Sequence, residues 1–136
     1  MVAPDEQTPR QFFSLPNEIL ELDFPPSAFK VYCYFCRSAN RKTHQCYPGF
    51  KTISKVLHMS VNTVQKSVGI LADAGLIYTE NTTVITRNGE KHNGTLLYTV
   101  LDPRPVLEAY RQRQLYELEI ETARRNYAKT AMEKTK

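Results

Sequence analysis

Asn62, Thr63, Gln65 and Lys66 are the residues whose types and spacing point most directly to chemistry. A helix that opens at Ser60 and turns Val61, Val64, Val68 and Leu71 inward places Asn62, Lys66, Gly69 and Asp73 opposite them. These recur at i, i+4, i+7 and i+11, with Thr63 and Gln65 beside them. Asn and Gln carboxamides make paired hydrogen bonds to an adenine edge, and Lys meets guanine acceptors or a phosphate. A glycine lets the backbone approach closely. The chemistry implied is readout of double-stranded DNA in the major groove. A solvated polar helix face is the plainer alternative, and the lack of acidic side chains before Asp73 weighs against it.

Basic residues surround this face in the sequence. Lys51 and Lys55 lie one helical turn apart on the segment just before it. Arg41 and Lys42 follow an earlier helix, and Arg87 and Lys91 (with His92) sit in a turn-rich segment after it. Together with the Ser60 cap, these six cations are assigned to phosphates, which fix register without carrying sequence information. The chain has a net charge of +4, but its distribution matters more than its size. Residues 31–100 hold eight basic and three acidic side chains, whereas residues 1–30 hold two and five. Positive charge therefore concentrates around the polar face, as phosphate neutralisation requires.

Other chemistries fare worse. Cys33-x-x-Cys36 with His44-x-Cys46 supplies four nitrogen or sulfur ligands, the number a tetrahedral zinc site takes. Cys33 and Cys36, however, fall within the apolar stripe of a helix, where cysteine acts as a small hydrophobe. The expectation is no metal and no other cofactor. No glycine-rich phosphate loop, nucleophile motif or carboxylate pair in an apolar setting appears, and His44, His58 and His92 all fall in turns, so an enzyme is not expected. The odd number of cysteines and the absence of an apolar run of membrane-spanning length point to a reducing, cytoplasmic, nucleoid-associated protein. The first residues lack the charged and apolar regions of a secretory signal. No pocket for a small-molecule ligand is evident.

The elements that must position the face read as follows. Residues 1–15 form a polar tail whose Phe12, Phe13 and Leu15 pack onto the body. A short turn or helical stretch starts at Leu15-Pro16-Asn17, with Ile19, Leu20 and Leu22 as its apolar contacts. Pro25-Pro26 opens a core helix, because proline suits the first helical position. Ala28, Tyr32, Phe35 and Ala39 recur along it at helical spacing. Tyr47-Pro48-Gly49 is a turn, and a short helix with Ile53, Val56 and Leu57 inward follows. Ser60 caps the third helix, and Gly75 closes it in the left-handed conformation. The period then changes from helical to alternating. Leu76–Thr79, Thr83–Thr86 and Thr95–Val100 read as strands. Asn88-Gly89 and Asn93-Gly94 make a β-hairpin whose tip runs from Arg87 to Asn93. Asp102-Pro103-Arg104-Pro105 precedes an amphipathic helix from about Val106 to Lys129.

The run YPGFKTISKVLHMSVNTVQKSVGILADAGLI resembles the core of bacterial winged helix-turn-helix proteins. In these, S-x-x-T-V opens the recognition helix and L-x-x-x-G-L-I leads into the wing. Here those elements are Ser60, Thr63-Val64 and Leu71 to Ile77. The resemblance extends over roughly residues 12–100, to small proteins of Gram-positive mobile elements and, more distantly, to DnaD-like and RepA-type replication initiators. Two departures stand out. His58 occupies the turn position where glycine is common, so either the turn widens or His58 takes a positive φ. Gly49 stands where a serine usually caps the second helix.

The expected fold is α+β and mainly helical: a winged helix-turn-helix of three helices and a hairpin over 16–101, a tail at 1–15 and an extra helix at 102–136. The expected partners are double-stranded DNA and a second copy of the chain, joined through the last helix by Leu115, Leu118 and Ile120. The expected role is transcription regulation or replication initiation on a mobile element. A protein-interaction module of a replisome or primosome is the rival.

Overall fold

A computed structural model of the chain describes residues 12–134. The expected tail lies mostly outside them. Contacts divide the chain into two units, residues 1–103 and 104–136.

In the first unit a 3-10 turn, Asn17–Glu21, buries Ile19 and leads through Pro25 into helix α1, Pro26–Ser38. Strand β1, Gln45–Cys46, comes next, followed by helices α2, Phe50–Leu57, and α3, Val61–Ala74. Four more strands follow: β2, Ile77–Glu80; β3, Thr83–Ile85; β4, Lys91–Asn93; and β5, Leu97–Val100. The second unit is one helix, α4, Arg104–Lys134. The molecule is thus a mainly helical α+β protein with a three-helix core, a wing and an additional C-terminal helix. No helix of the described residues is long and apolar enough to cross a membrane.

The core lies where α1, α3 and the inner sheet meet. Ala28, Val31 and Phe35 of α1, Ile53 of α2, Val64 and Leu71 of α3, and Leu76, Ile77 and Tyr98 are all essentially inaccessible to solvent. Phe35 stacks on Tyr98 with ring centroids 4.4 Å apart, which ties α1 to β5. Burial in so apolar a setting raises the Tyr98 phenol to about 12. It likewise raises the Cys46 thiol to about 11, with Cys36 adding to the effect.

Several sequence expectations are corrected. Phe12 lies beside the end of α1 but stays 69% exposed, and Leu20 and Val56 are exposed as well. On α2 only Ile53 and Leu57, four residues apart, can face inward along one narrow stripe. The wing differs most. β5 pairs antiparallel with β2, in the register Ile77 to Val100 through Glu80 to Leu97. Its other edge takes β1, which was not anticipated, at Gln45 to Thr99 and Cys46 to Tyr98. β3 pairs instead with β4, Thr83 to Asn93 through Ile85 to Lys91. Lys91, His92 and Asn93 are therefore strand residues, and the tip is Thr86 to Glu90, closed around Gly89 at φ 78°. Asn93-Gly94 marks the junction between the outer ribbon and the inner sheet. α4 also begins earlier and runs longer than the sequence indicated.

Candidate nucleic-acid interface

Helix α3 is capped by Ser60, whose Oγ accepts a hydrogen bond from the Thr63 N–H at 3.1 Å. The Thr63 hydroxyl lies 2.8 Å from the same oxygen, so cap and side chain form a closed pair. Thr63 is accordingly half-buried and spends part of its hydrogen-bonding capacity on the cap. Ser67, the one buried polar residue of α3 among those described, donates its hydroxyl to the Thr63 carbonyl at 2.7 Å. The inner stripe is Val64, Ser67, Val68 and Leu71, with Val61 half-buried at the helix entrance.

On the opposite side Asn62, Gln65, Lys66 and Gly69 are exposed. A Cβ added at Gly69 would meet nothing within 4 Å, so this part of the face is open. Asp73 is exposed at the far end of the helix, about 16 Å of helical rise from Asn62. Gly75 ends α3 at φ 83°, as the sequence indicated, and turns the chain into the wing.

The turn that holds α3 against α2 rests on His58, which adopts φ 55° and ψ 48°. Of the two alternatives left open by the sequence, the second is the observed one: the turn keeps its length and His58 goes left-handed. Two hydrogen bonds lock it. The Met59 N–H donates to the Ser54 carbonyl at 3.2 Å, and the Ser54 hydroxyl donates to the Met59 carbonyl. Lys30 on α1 adds a third constraint by donating to the Leu57 carbonyl at 2.9 Å, where a cation also opposes the helix dipole. Sequence reasoning missed Lys30 and Ser54. A hydroxyl at Ser54 is indistinguishable from a surface serine until the turn is closed, and no periodicity marks Lys30.

The cations fall into three groups. Lys51 and Lys55 are exposed on α2, and Gly49 provides no side-chain cap at that helix's start. Arg87 is exposed at the wing tip and Lys91 on β4. Neither these nor Lys66 form an ion pair among the described residues. Beside Lys91, His92 lies 3.3 Å from Glu90. Arg41 and Lys42 stand apart. Their turn is folded by Asn40, whose Oδ1 accepts from the Lys42 and Thr43 N–H groups, and leads to His44 at φ 60°. The His44 carbonyl accepts from Val100, opposite Ile77 at the base of the inner sheet. This places Arg41 and Lys42 near the end of α3 that carries Gly75, not near the end that carries Asn62.

The cysteines do not form a ligand set. Cys46 is buried on β1, and Cys33 and Cys36 are half-buried on α1, where burial raises both thiols, that of Cys36 to about 11. Among the described residues no group of three or more His, Cys, Asp or Glu side chains is arranged to hold a metal ion.

Residues 22–77 match a family described as a helix-turn-helix domain. This segment runs from the chain before α1 to the first residue of β2. Among solved structures, the chain is similar to one described as a possible transcriptional regulator from Methanosarcina mazei Go1. The TM-score is 0.56 at 19% sequence identity, over 73% of this chain and 77% of that one. At that identity the likeness concerns the fold. No curated protein matches the chain.

Proposed function

We propose that the protein binds double-stranded DNA sequence-specifically by seating α3 in the major groove and acts as a transcriptional regulator. The observation that carries this reading is the exposed, acid-free face of Asn62, Gln65, Lys66 and Gly69 on a capped helix held rigidly by its turn. The helix-turn-helix match over residues 22–77 supports DNA binding, and the description of the structural neighbour supports regulation. Asn62, Gln65 and Lys66 read base edges, and Thr63 contributes the part of its hydroxyl that the cap leaves over. Ser60, Lys51 and Lys55 meet the phosphates beside α3, while Arg87 and Lys91 meet those reached by the wing. Arg41 and Lys42 belong to the outer margin of the footprint. Two copies of the chain joined through α4 read two half-sites. Replication initiation on a mobile element would use the same DNA-binding step.

The test is selection of bound fragments from genomic DNA, then affinity measurement on the selected duplex across a range of salt. Affinity should fall with a log–log slope of about 0.9 per phosphate contacted, and Lys66→Ala should weaken binding and reduce the slope by about one contact if Lys66 meets a phosphate. Asn62→Ala should cost roughly 1–3 kcal/mol on the selected site and much less on unrelated duplexes. Failure to enrich any sequence, with affinity indifferent to salt, would favour a protein-contact module of a replisome or primosome instead.

A further inference from the structure

From about Arg111 to its end, α4 is covered by nothing among the residues of its own unit, yet it carries large apolar side chains. Tyr116 is 64% exposed and Tyr127 78%. At 100° per residue, Tyr116, Ile120, Ala123 and Tyr127 fall on one narrow stripe with spacings of four, three and four. Ala109, seven residues before Tyr116, continues it toward the start of the helix. This is the spacing of a two-helix seam. Of the three residues the sequence had suggested for the contact, Ile120 lies on this stripe, while Leu115 and Leu118 lie away from it.

Charge and volume along the stripe determine how a partner would fit. Arg113 occupies the seam position before Tyr116, and Thr130 the one after Tyr127. A parallel pairing would stack Arg113 on its own copy and Ala123 on its own copy, making one layer repulsive and another hollow. An antiparallel pairing centred between Glu121 and Thr122 does neither. It sets Tyr116 against Tyr127, Ile120 against Ala123, and Arg113 against Thr130, each twice by symmetry. Glu117 and Arg124, which flank the seam on one side, then face each other across it in two symmetric ion pairs. Arg113, Glu117 and Arg124 have no ion-pair partner among the described residues.

We infer that α4 is a self-complementary dimerisation helix that pairs antiparallel with α4 of a second copy through Tyr116, Ile120, Ala123 and Tyr127. This rests on the homodimer reading above and adds its orientation. The starts of the two helices then lie roughly 50 Å apart along the pair, so the two DNA-binding units leave from opposite ends of it. A parallel pair would hold them side by side.

The experiment is site-directed crosslinking of the full chain. Tyr116→Cys and Tyr127→Cys proteins are oxidised under mild conditions, alone and mixed, and the crosslinked peptides are mapped by mass spectrometry. The antiparallel seam predicts disulfides between positions 116 and 127 in the mixture and little within either protein alone. There, identical positions lie about 16 Å apart. Wild-type protein should show twice 15.7 kDa by light scattering, and Ile120→Glu should return it to 15.7 kDa with the melting transition of the helix-turn-helix unit unmoved. Disulfides joining 116 to 116 and 127 to 127 would overturn the orientation while leaving a dimer. A wild-type monomer at 100 micromolar or above, a concentration range of about 10⁻⁴ M in which weak association registers, would overturn both.

Discussion

At the scale of single residues, the most constrained position on the candidate interface is one that touches no ligand in the proposed function. His58 takes a left-handed conformation that costs an ordinary L-residue about 1–2 kcal/mol. His58→Gly should therefore stabilise the protein by about 1 kcal/mol, less than the full strain because glycine loses more freedom on folding. Chemical denaturation would measure it, and no gain would mean that the His58 side chain offsets the strain. Ser60→Ala should move stability the other way by about 1 kcal/mol, since the Thr63 N–H loses its acceptor and the Thr63 hydroxyl its partner. That variant should also lose affinity, because a freed Thr63 and a frayed first turn alter the start of the reading face.

At the scale of elements, the helices were legible in the sequence and the sheet was only partly so. The reasons are physical. α1 and α3 announce themselves by apolar residues at helical spacing, a proline at the entrance of one and a serine and a glycine at the two ends of the other. Each of those signals acts within one or two turns. β1 is two residues long and exists only because β5 offers it an edge, so nothing local marks it. The wing misled for a related reason. Asn93-Gly94 has the composition of a hairpin tip, but Gly94 is needed for space: a Cβ there would run into the Thr82 side chain and come within 2.9 Å of Val84. The joint is held by the Gly94 N–H donating to the Thr82 carbonyl and the Thr82 hydroxyl donating to the Thr95 carbonyl. The Thr95 hydroxyl in turn donates to the Tyr47 carbonyl at 2.9 Å, just before α2. Gly94→Ala should therefore tilt or loosen the outer ribbon while α1, α2 and α3 keep their packing. The expected result is unchanged helical circular dichroism, weaker DNA binding and loss of the salt-dependence increment due to Arg87 and Lys91. Intact binding would mean that the wing takes no part.

At the scale of the whole molecule, phenols and thiols withdrawn from solvent contribute to the response to alkali. Burial raises Tyr98 from 10.0 to about 12, and Cys36 and Cys46 from 9.0 to about 11, while Tyr32 moves upward as well. In each case the unfolded chain gives up its proton at lower pH than the folded one. The folded state therefore binds more protons in the interval between, and stability falls as pH rises through it. The melting temperature should be insensitive to these groups near neutrality and decline from about pH 9 upward, as thermal melts across a pH series would show. Tyr98→Phe keeps the ring stacked on Phe35 and should flatten the upper part of that decline.

The outer ribbon carries one more consequence. All six residues of β3 and β4 are exposed, so the ribbon has no core of its own, and a two-stranded hairpin is at best marginally stable alone in water. Its backbone amides should exchange with deuterium through local opening, far faster than those of β2 and β5, whose opening requires the core to come apart. A duplex lying against the ribbon would close off that route. Protection factors at Thr83–Ile85 and Lys91–Asn93 thus report whether the wing is engaged, and they do so without a mutation.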